Sequence, residues 1–313
     1  MRKGLIVGAL ALVVAAGGAY AAADYFANAK LEERAQLFAR DMRKFTREFR
    51  YGSVSASIIG HSIEMKNVEF VTLDGDRIKA ESVTVKDFDW RNRGTPRYAD
   101  IFVTRADVPS TALTNLARAT GQLGKIIGVS TGPTGDAQRL LDRAGYRRTT
   151  SDFQIKYRYD EDAQELEIRD VQLEIADLGT VVFNLKLGNM PRGGVRDGVD
   201  LLSATQVTLA HASLSFRDRS LVSRLLKAYS ADRGISEAEA LQRVLRDLRA
   251  ERQRARDPVE REGLDALIRF VGHPGEIRLA MEPERPVPLL GTVTRFFGGT
   301  AFKDTFGLKI TAR

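Results

Sequence analysis

Apolar residues recur along the chain in one form: apolar-x-apolar-x-x-apolar-x-apolar. It occurs at Ile63, Met65, Val68 and Phe70, at Ile78, Ala80, Val83 and Val85, and at Leu166, Ile168, Val171 and Leu173. A further copy is Val207, Leu209, Ala212 and Leu214, extended to Phe216. Each half alternates with period two, as a strand with one buried and one solvated face does. Between the halves the parity slips by one residue. An uninterrupted strand would then turn its second half to the other face. Two repairs exist: a β-bulge that absorbs the extra residue, or a corner where the strand passes from one sheet to another. The pattern predicts long, bent, antiparallel strands that curve around an apolar interior.

Simpler alternations extend the series. Phe153, Ile155, Tyr157 and Tyr159 alternate with polar residues, as do Val181, Phe183, Leu185 and Leu187. Val54, Ala56 and Ile58 open the β-rich part; Ile277-Leu279 and Leu308-Ile310 close it. Leu73-Asp74-Gly75-Asp76 reads as a hairpin turn. One apolar and one polar face favour antiparallel pairing, and strands that do not alternate with helices argue against a doubly wound fold. Helical patterns fall in two insertions, at about 110–145 and 219–271. In the first, Ser110 and Asp136 are candidate caps and Gly145 a stop. In the second, Ser236 with Glu239 forms a capping box ahead of Leu241, Val244, Leu245 and Leu248, and Asp257-Pro258 opens a helix through Val271. Pro283, Pro286 and Pro288 mark an extended segment unsuited to helix or central strand. The expected class is α+β: a long curved antiparallel sheet, groove- or half-barrel-like, over residues 51–313, carrying two helical insertions and preceded by a transmembrane helix.

That last element is the run Gly4–Ala23, which holds no charged residue and follows Arg2 and Lys3. About twenty residues at 1.5 Å each cover the roughly 30 Å of a bilayer core. The segment reads as a membrane anchor, with Tyr20, Tyr25 and Phe26 at the interface, or as a cleaved signal peptide with an A-x-A site at Ala19-Tyr20-Ala21 or Ala21-Ala22-Ala23. Both place Arg2 and Lys3 in the cytoplasm and send the bulk of the chain across the membrane, outside the cytoplasm. Over residues 24–50 the stripe Leu31, Phe38, Met42, Phe45 and Phe49 predicts a helix, either packed on the main domain or acting as a stalk.

Composition narrows the chemistry. The chain has 313 residues and no cysteine, which excludes thiol catalysis, iron–sulfur clusters and disulfides. Its histidines, His61, His211 and His273, share no metal-ligand spacing. Gly128-Val129-Ser130-Thr131-Gly132 matches the G-x-S-x-G nucleophile elbow, but Pro133 and Gly135 place a loop where a helix should start. No phosphate-binding loop is present, and no cofactor or metal is implied. The formal net charge is +7. Arg243, Arg246, Arg249, Arg252, Arg254 and Arg256 crowd one predicted helix opposite its apolar stripe. Arg243, Arg246, Arg249 and Arg252 are candidate contacts to anionic lipid headgroups; the plain alternative is the solvated face of a helix packed on the sheet. No aromatic residues interleave with the arginines, so nucleic acid is not expected.

An N-terminal membrane helix followed by curved strands resembles the AsmA-like proteins of Gram-negative inner membranes. The residues that carry the likeness are Val68 to Gly75, then Ile78 to Val85, with Leu166 to Gly179 similar. The resemblance implies a periplasmic β-rich groove tied to envelope integrity or phospholipid transport, with no catalytic residues. The expected function is therefore that of a noncatalytic envelope protein, not an enzyme, whose curved apolar surface binds acyl chains or supports assembly. Its lining would be Ile63, Met65, Val68, Phe70, Ile78, Val83, Val85, Leu166, Ile168, Val171, Leu173, Val181, Phe183, Leu185, Val207, Leu209, Leu214 and Phe216. Phospholipid and other envelope proteins are the expected partners. A filled core serving protein–protein interaction, without a ligand, is the alternative.

Overall fold

The computed structural model describes residues 31–43, 46–57, 61–73, 75–89, 97–111, 142–191, 206–289 and 299–313. The anchor segment, the Ser130 loop and most of the first helical insertion lie outside them.

The fold is α+β, built on one open sheet of twelve antiparallel strands. In chain order these are β1 (Thr46–Arg50), β2 (Ser53–Ser57), β3 (Ser62–Thr72), β4 (Arg77–Lys86), β5 (Tyr98–Pro109), β6 (Arg148–Asp160), β7 (Glu165–Ile175), β8 (Gly179–Gly188), β9 (Thr208–Asp218), β10 (Glu276–Met281), β11 (Val287–Pro288) and β12 (Leu308–Ala312). The spatial order is β1-β3-β4-β5-β6-β7-β8-β9-β10-β12, with β2 also on β3 and β11 on β9. Neighbours in space are mostly neighbours in sequence, as short hairpin links require. The predicted turn joins β3 to β4: Gly75, at φ 96°, donates its N–H to the Thr72 carbonyl at 2.9 Å.

The slips in parity are β-bulges. In β3 and β4 they fall at one level, so Met65 faces Val83 on one side and Val68 faces Ala80 on the other without loss of register. Between these pairs Asn67 adopts φ 51°, a left-handed conformation that asparagine tolerates better than most residues. In β7 the extra residue is Asp170, at φ 50°, and the register with β8 shifts between Ile168 and Val171. In β9 the register with β8 shifts beside Leu209. Another copy of the form, Ile101, Val103, Ala106 and Val108 in β5, slips at Arg105, at φ 47°. Each bulge bends its strand and raises its twist while returning both apolar halves to one side.

Helices cover that side at the two ends of the sheet. α1 (Leu31–Met42) buries Ala35, Ala39 and Met42 against Met65, Val68, Ala80, Val83 and Ala106. Tyr51 Oη donates to Glu32 Oε1 at 3.0 Å, and burial together with that carboxylate pushes the phenol up to about 12. The expected helix over 24–50 is thus shorter than its periodicity suggested. Thr46 leaves the helix, its Oγ1 donating to the Met42 carbonyl at 2.8 Å, and Phe49 is buried from a strand paired with β3. A strand partner outweighed helical spacing there, since Phe49 is buried in either conformation.

At the other end stand α2 (Leu221–Arg233), α3 (Glu237–Arg254), α4 (Pro258–Gly272) and α5 (Gly299–Phe306). The caps are those expected: Ser236 accepts from the Glu239 N–H at 3.2 Å and Asp257 from the Val259 N–H at 2.7 Å. α4 and α5 bury Val259, Ala266, Phe302 and Phe306 against Leu209, Leu308 and Ile310. Phe270 of α4 meets Phe216 of β9 edge-on, with ring centroids 6.0 Å apart. α3 lies outside α4, packing on it and on α2.

Candidate functional site

Cross-strand register turns the apolar alternation into rows. One row runs Val54, Met65, Val83, Val103, Phe153, Leu173, Val181, Phe216, Ile277, Ala312, each residue directly opposite the next. It crosses ten strands without a polar residue. At about 4.8 Å between strands its length is roughly 43 Å. Parallel to it run Val171, Phe183, Leu214, Leu279 and Ile310, and Tyr157, Ile168, Leu185, Ala212, Met281 and Leu308. Rows of this kind stabilise a sheet through cross-strand contact and leave one continuous apolar face.

The eighteen expected lining residues divide by burial. Ile63, Met65, Val68, Ile78, Val83, Val85, Val207 and Leu209 are buried, the first six at the α1 end and the last two at the α4–α5 end. Phe70, Leu166, Ile168, Val171, Leu173, Val181, Phe183, Leu185, Leu214 and Phe216 are half-buried. On β8 every residue after Gly179 is half-buried, so neither face of that strand is fully covered by the described residues. The half-buried part of the apolar face is therefore β6–β9, with α4 and α5 packed on its β9 side at Leu209 and Phe216. Tyr157 belongs to this stretch, and burial raises its phenol well above the ordinary value. Phe153 and Tyr157, on these rows, and Leu187, on the next row between Leu166 and Leu209, complete the apolar stretch; their alternation was visible in the sequence, but their place beside β7 and β8 is set by pairing.

The opposite face is charged and largely self-neutralised. Glu69 pairs with Arg77, Glu81 with Arg105, Asp107 with Arg148 at 2.7 Å, Glu165 with Lys186 at 2.9 Å, Glu174 with Arg219 at 2.8 Å and Arg217 with Glu276 at 3.1 Å. Exposed pairs like these contribute about 0–1 kcal/mol each. Asp100 stands apart: burial, aided by Asp87 and Asp170, raises its carboxyl despite Lys156 and Arg158.

The four arginines singled out on α3 fall into two pairs. Arg243 is bound to Glu239 at 2.7 Å, and Arg252 to Asp265 of α4 through two contacts of 2.5 and 3.1 Å. That second contact holds Asp265 below the usual carboxylate range. Arg246 and Arg249 are exposed and meet no carboxylate of the described residues. His211 lies on β9 opposite Lys186, and His273 ends α4. Among the described residues no cluster of histidine and carboxylate could hold a metal ion. No helix of the described residues is long and apolar enough to cross a membrane; Gly4–Ala23 lies outside that set.

A family model described as an uncharacterized protein matches residues 172–313, from within β7 to the C-terminus. No curated protein matches the chain.

Proposed function

We propose that the chain is a noncatalytic protein of the cell envelope, tethered at the inner membrane by Gly4–Ala23 with its bulk in the periplasm, whose apolar sheet face holds phospholipid acyl chains. The reading keeps the AsmA-like resemblance as a proposal, and with it a sheet curved into a groove. Its main support is the ten-strand apolar row, half-buried across β6–β9, in a chain that opens with a bilayer-length apolar run. Each methylene moved from water onto such a face is favourable by about 0.8 kcal/mol. The polar face opposite, bound up in its own ion pairs, keeps the sheet soluble on that side.

The test is native mass spectrometry of the detergent-extracted full chain, combined with titration of a fluorescent fatty acid. Retained phospholipid is expected, with probe binding weakened at least tenfold in Phe183→Gln/Leu185→Gln. A chain that retains no lipid and binds no probe refutes the reading and leaves a filled-core interaction module in its place.

A further inference from the structure

We infer that the outward face of α3 is a docking surface for an anionic bilayer, centred on Arg246 and Arg249. The inference rests on the envelope reading above and adds the contact that sets the domain against the membrane surface.

The observation is selective pairing. Most arginines around the sheet are matched: Arg77, Arg105, Arg148, Arg217 and, just past β9, Arg219 each face a carboxylate, while Arg47 and Arg158 on strands do not. On α3, Arg243 and Arg252 are matched as well. Arg246, Arg249, Arg254 and Arg256 are exposed and have no acidic partner among the described residues. Helical geometry explains where they point. At 100° per residue, Gln242, Arg246, Arg249, Ala250 and Gln253 share one stripe, and these five line a shallow open notch. The buried stripe, bounded by Ala240 and Leu245 with Val244 and Leu248 between them, faces away toward α4. Glu239 is taken up by Arg243, and the helix's other carboxylates, Glu237, Asp247 and Glu251, lie at least about 100° from the centre of this stripe by the same geometry. The notch is thus lined by guanidinium and amide groups and the Ala250 methyl, with no carboxylate.

That chemistry fits a phosphate-bearing surface. Guanidinium groups bind phosphate through paired N–H donors, and amides add neutral donors at the rim. A partner with many phosphates in a plane matches an outermost helix that offers a stripe rather than a pocket. α3 is that layer, since α4 separates it from the sheet.

The absence of native cysteine permits a clean test on the full chain. Gln253→Cys carries a spin label beside the two arginines and leaves them intact. The labelled chain is reconstituted into liposomes of phosphatidylcholine alone or with 30% phosphatidylglycerol. The label is expected to lose access to a water-soluble relaxation agent only in the anionic liposomes, and to regain it in 0.5 M salt. Two basic residues at about fivefold each predict an approximately thirtyfold weaker effect in Arg246→Gln/Arg249→Gln. Arg243→Gln/Arg252→Gln should weaken it far less. Equal access in both liposomes overturns the inference, as does protection that survives loss of Arg246 and Arg249. Protection by a single-stranded RNA oligonucleotide in neutral liposomes, equal to that of phosphatidylglycerol, also overturns it. Acyl-chain retention is read separately, so either proposal can fail without the other.

Discussion

Asp170 offers the sharpest check on how this sheet keeps one apolar face. It occupies the bulge of β7 at φ 50°, donates its N–H to Asn184 Oδ1 at 2.9 Å and faces Lys156 Nζ at 3.3 Å. Valine in a left-handed position costs about 1–2 kcal/mol, while glycine occupies it freely. The ion pair is exposed on both sides and contributes at most about 1 kcal/mol. Healing the bulge instead would turn Leu166 and Ile168 to the charged face. Full burial of such a side chain is worth about 1.5–3 kcal/mol, so two half-buried ones together offset the strain and the strand keeps the bulge. Asp170→Val is therefore expected to lower stability by about 1–3 kcal/mol, and Asp170→Gly by less than about 1 kcal/mol, since both lose the ion pair but only valine strains the backbone. Urea titration followed by circular dichroism measures this as a shift in midpoint at constant slope. If the valine variant proves as stable as the glycine variant, the left-handed bulge is not what holds β7 in place.

Two further outcomes follow from single contacts. Glu262 of α4 accepts the outward N–H of Ile310 at 3.1 Å and also binds Lys303, capping the edge strand β12. Glu262→Ala should cost about 1–3 kcal/mol and speed hydrogen exchange at Ile310, and Glu262→Gln, which keeps an acceptor, should restore most of the protection; unchanged exchange in the alanine variant would refute the cap. Asp100 has a folded pKa raised above its unfolded value, so its charge opposes folding at neutral pH and the penalty disappears as pH falls below the ordinary carboxyl range. Asp100→Asn should accordingly raise the melting temperature at pH 7, with the gain shrinking toward pH 3; a constant gain at both pH values would point to something other than titration.

Much of the sheet was legible along the chain. Period-two alternation marked β3, β4, β6, β7, β8 and β9, and the slipped spacing located bulges at Asn67 and Asp170. The same spacing at Ile101 to Val108 carried an equal signal for β5 and its bulge at Arg105. Cap residues placed the starts of α3 and α4 because a side-chain acceptor for an orphan N–H is a local requirement. Phe49 misled, because the spacing of a few aromatic residues fits a helix and a strand equally well. The arginines of α3 were visible as a charge cluster, but their division into paired and unpaired groups depends on Asp265 of a different helix.

Sequence alone determined which residues are apolar, how they alternate and where the alternation slips, since these are properties of neighbours in the chain. Register decided the rest. Val54 and Ala312 end one apolar row only because nine successive pairings align them, and no local spacing encodes which strand lies beside which. Coverage was decided in the same way. Leu173 and Met65 belong to copies of the same slipped form and lie on the same row, yet α1 buries Met65 and the described helices leave Leu173 half-open, because burial belongs to whatever packs above a residue and not to the residue itself.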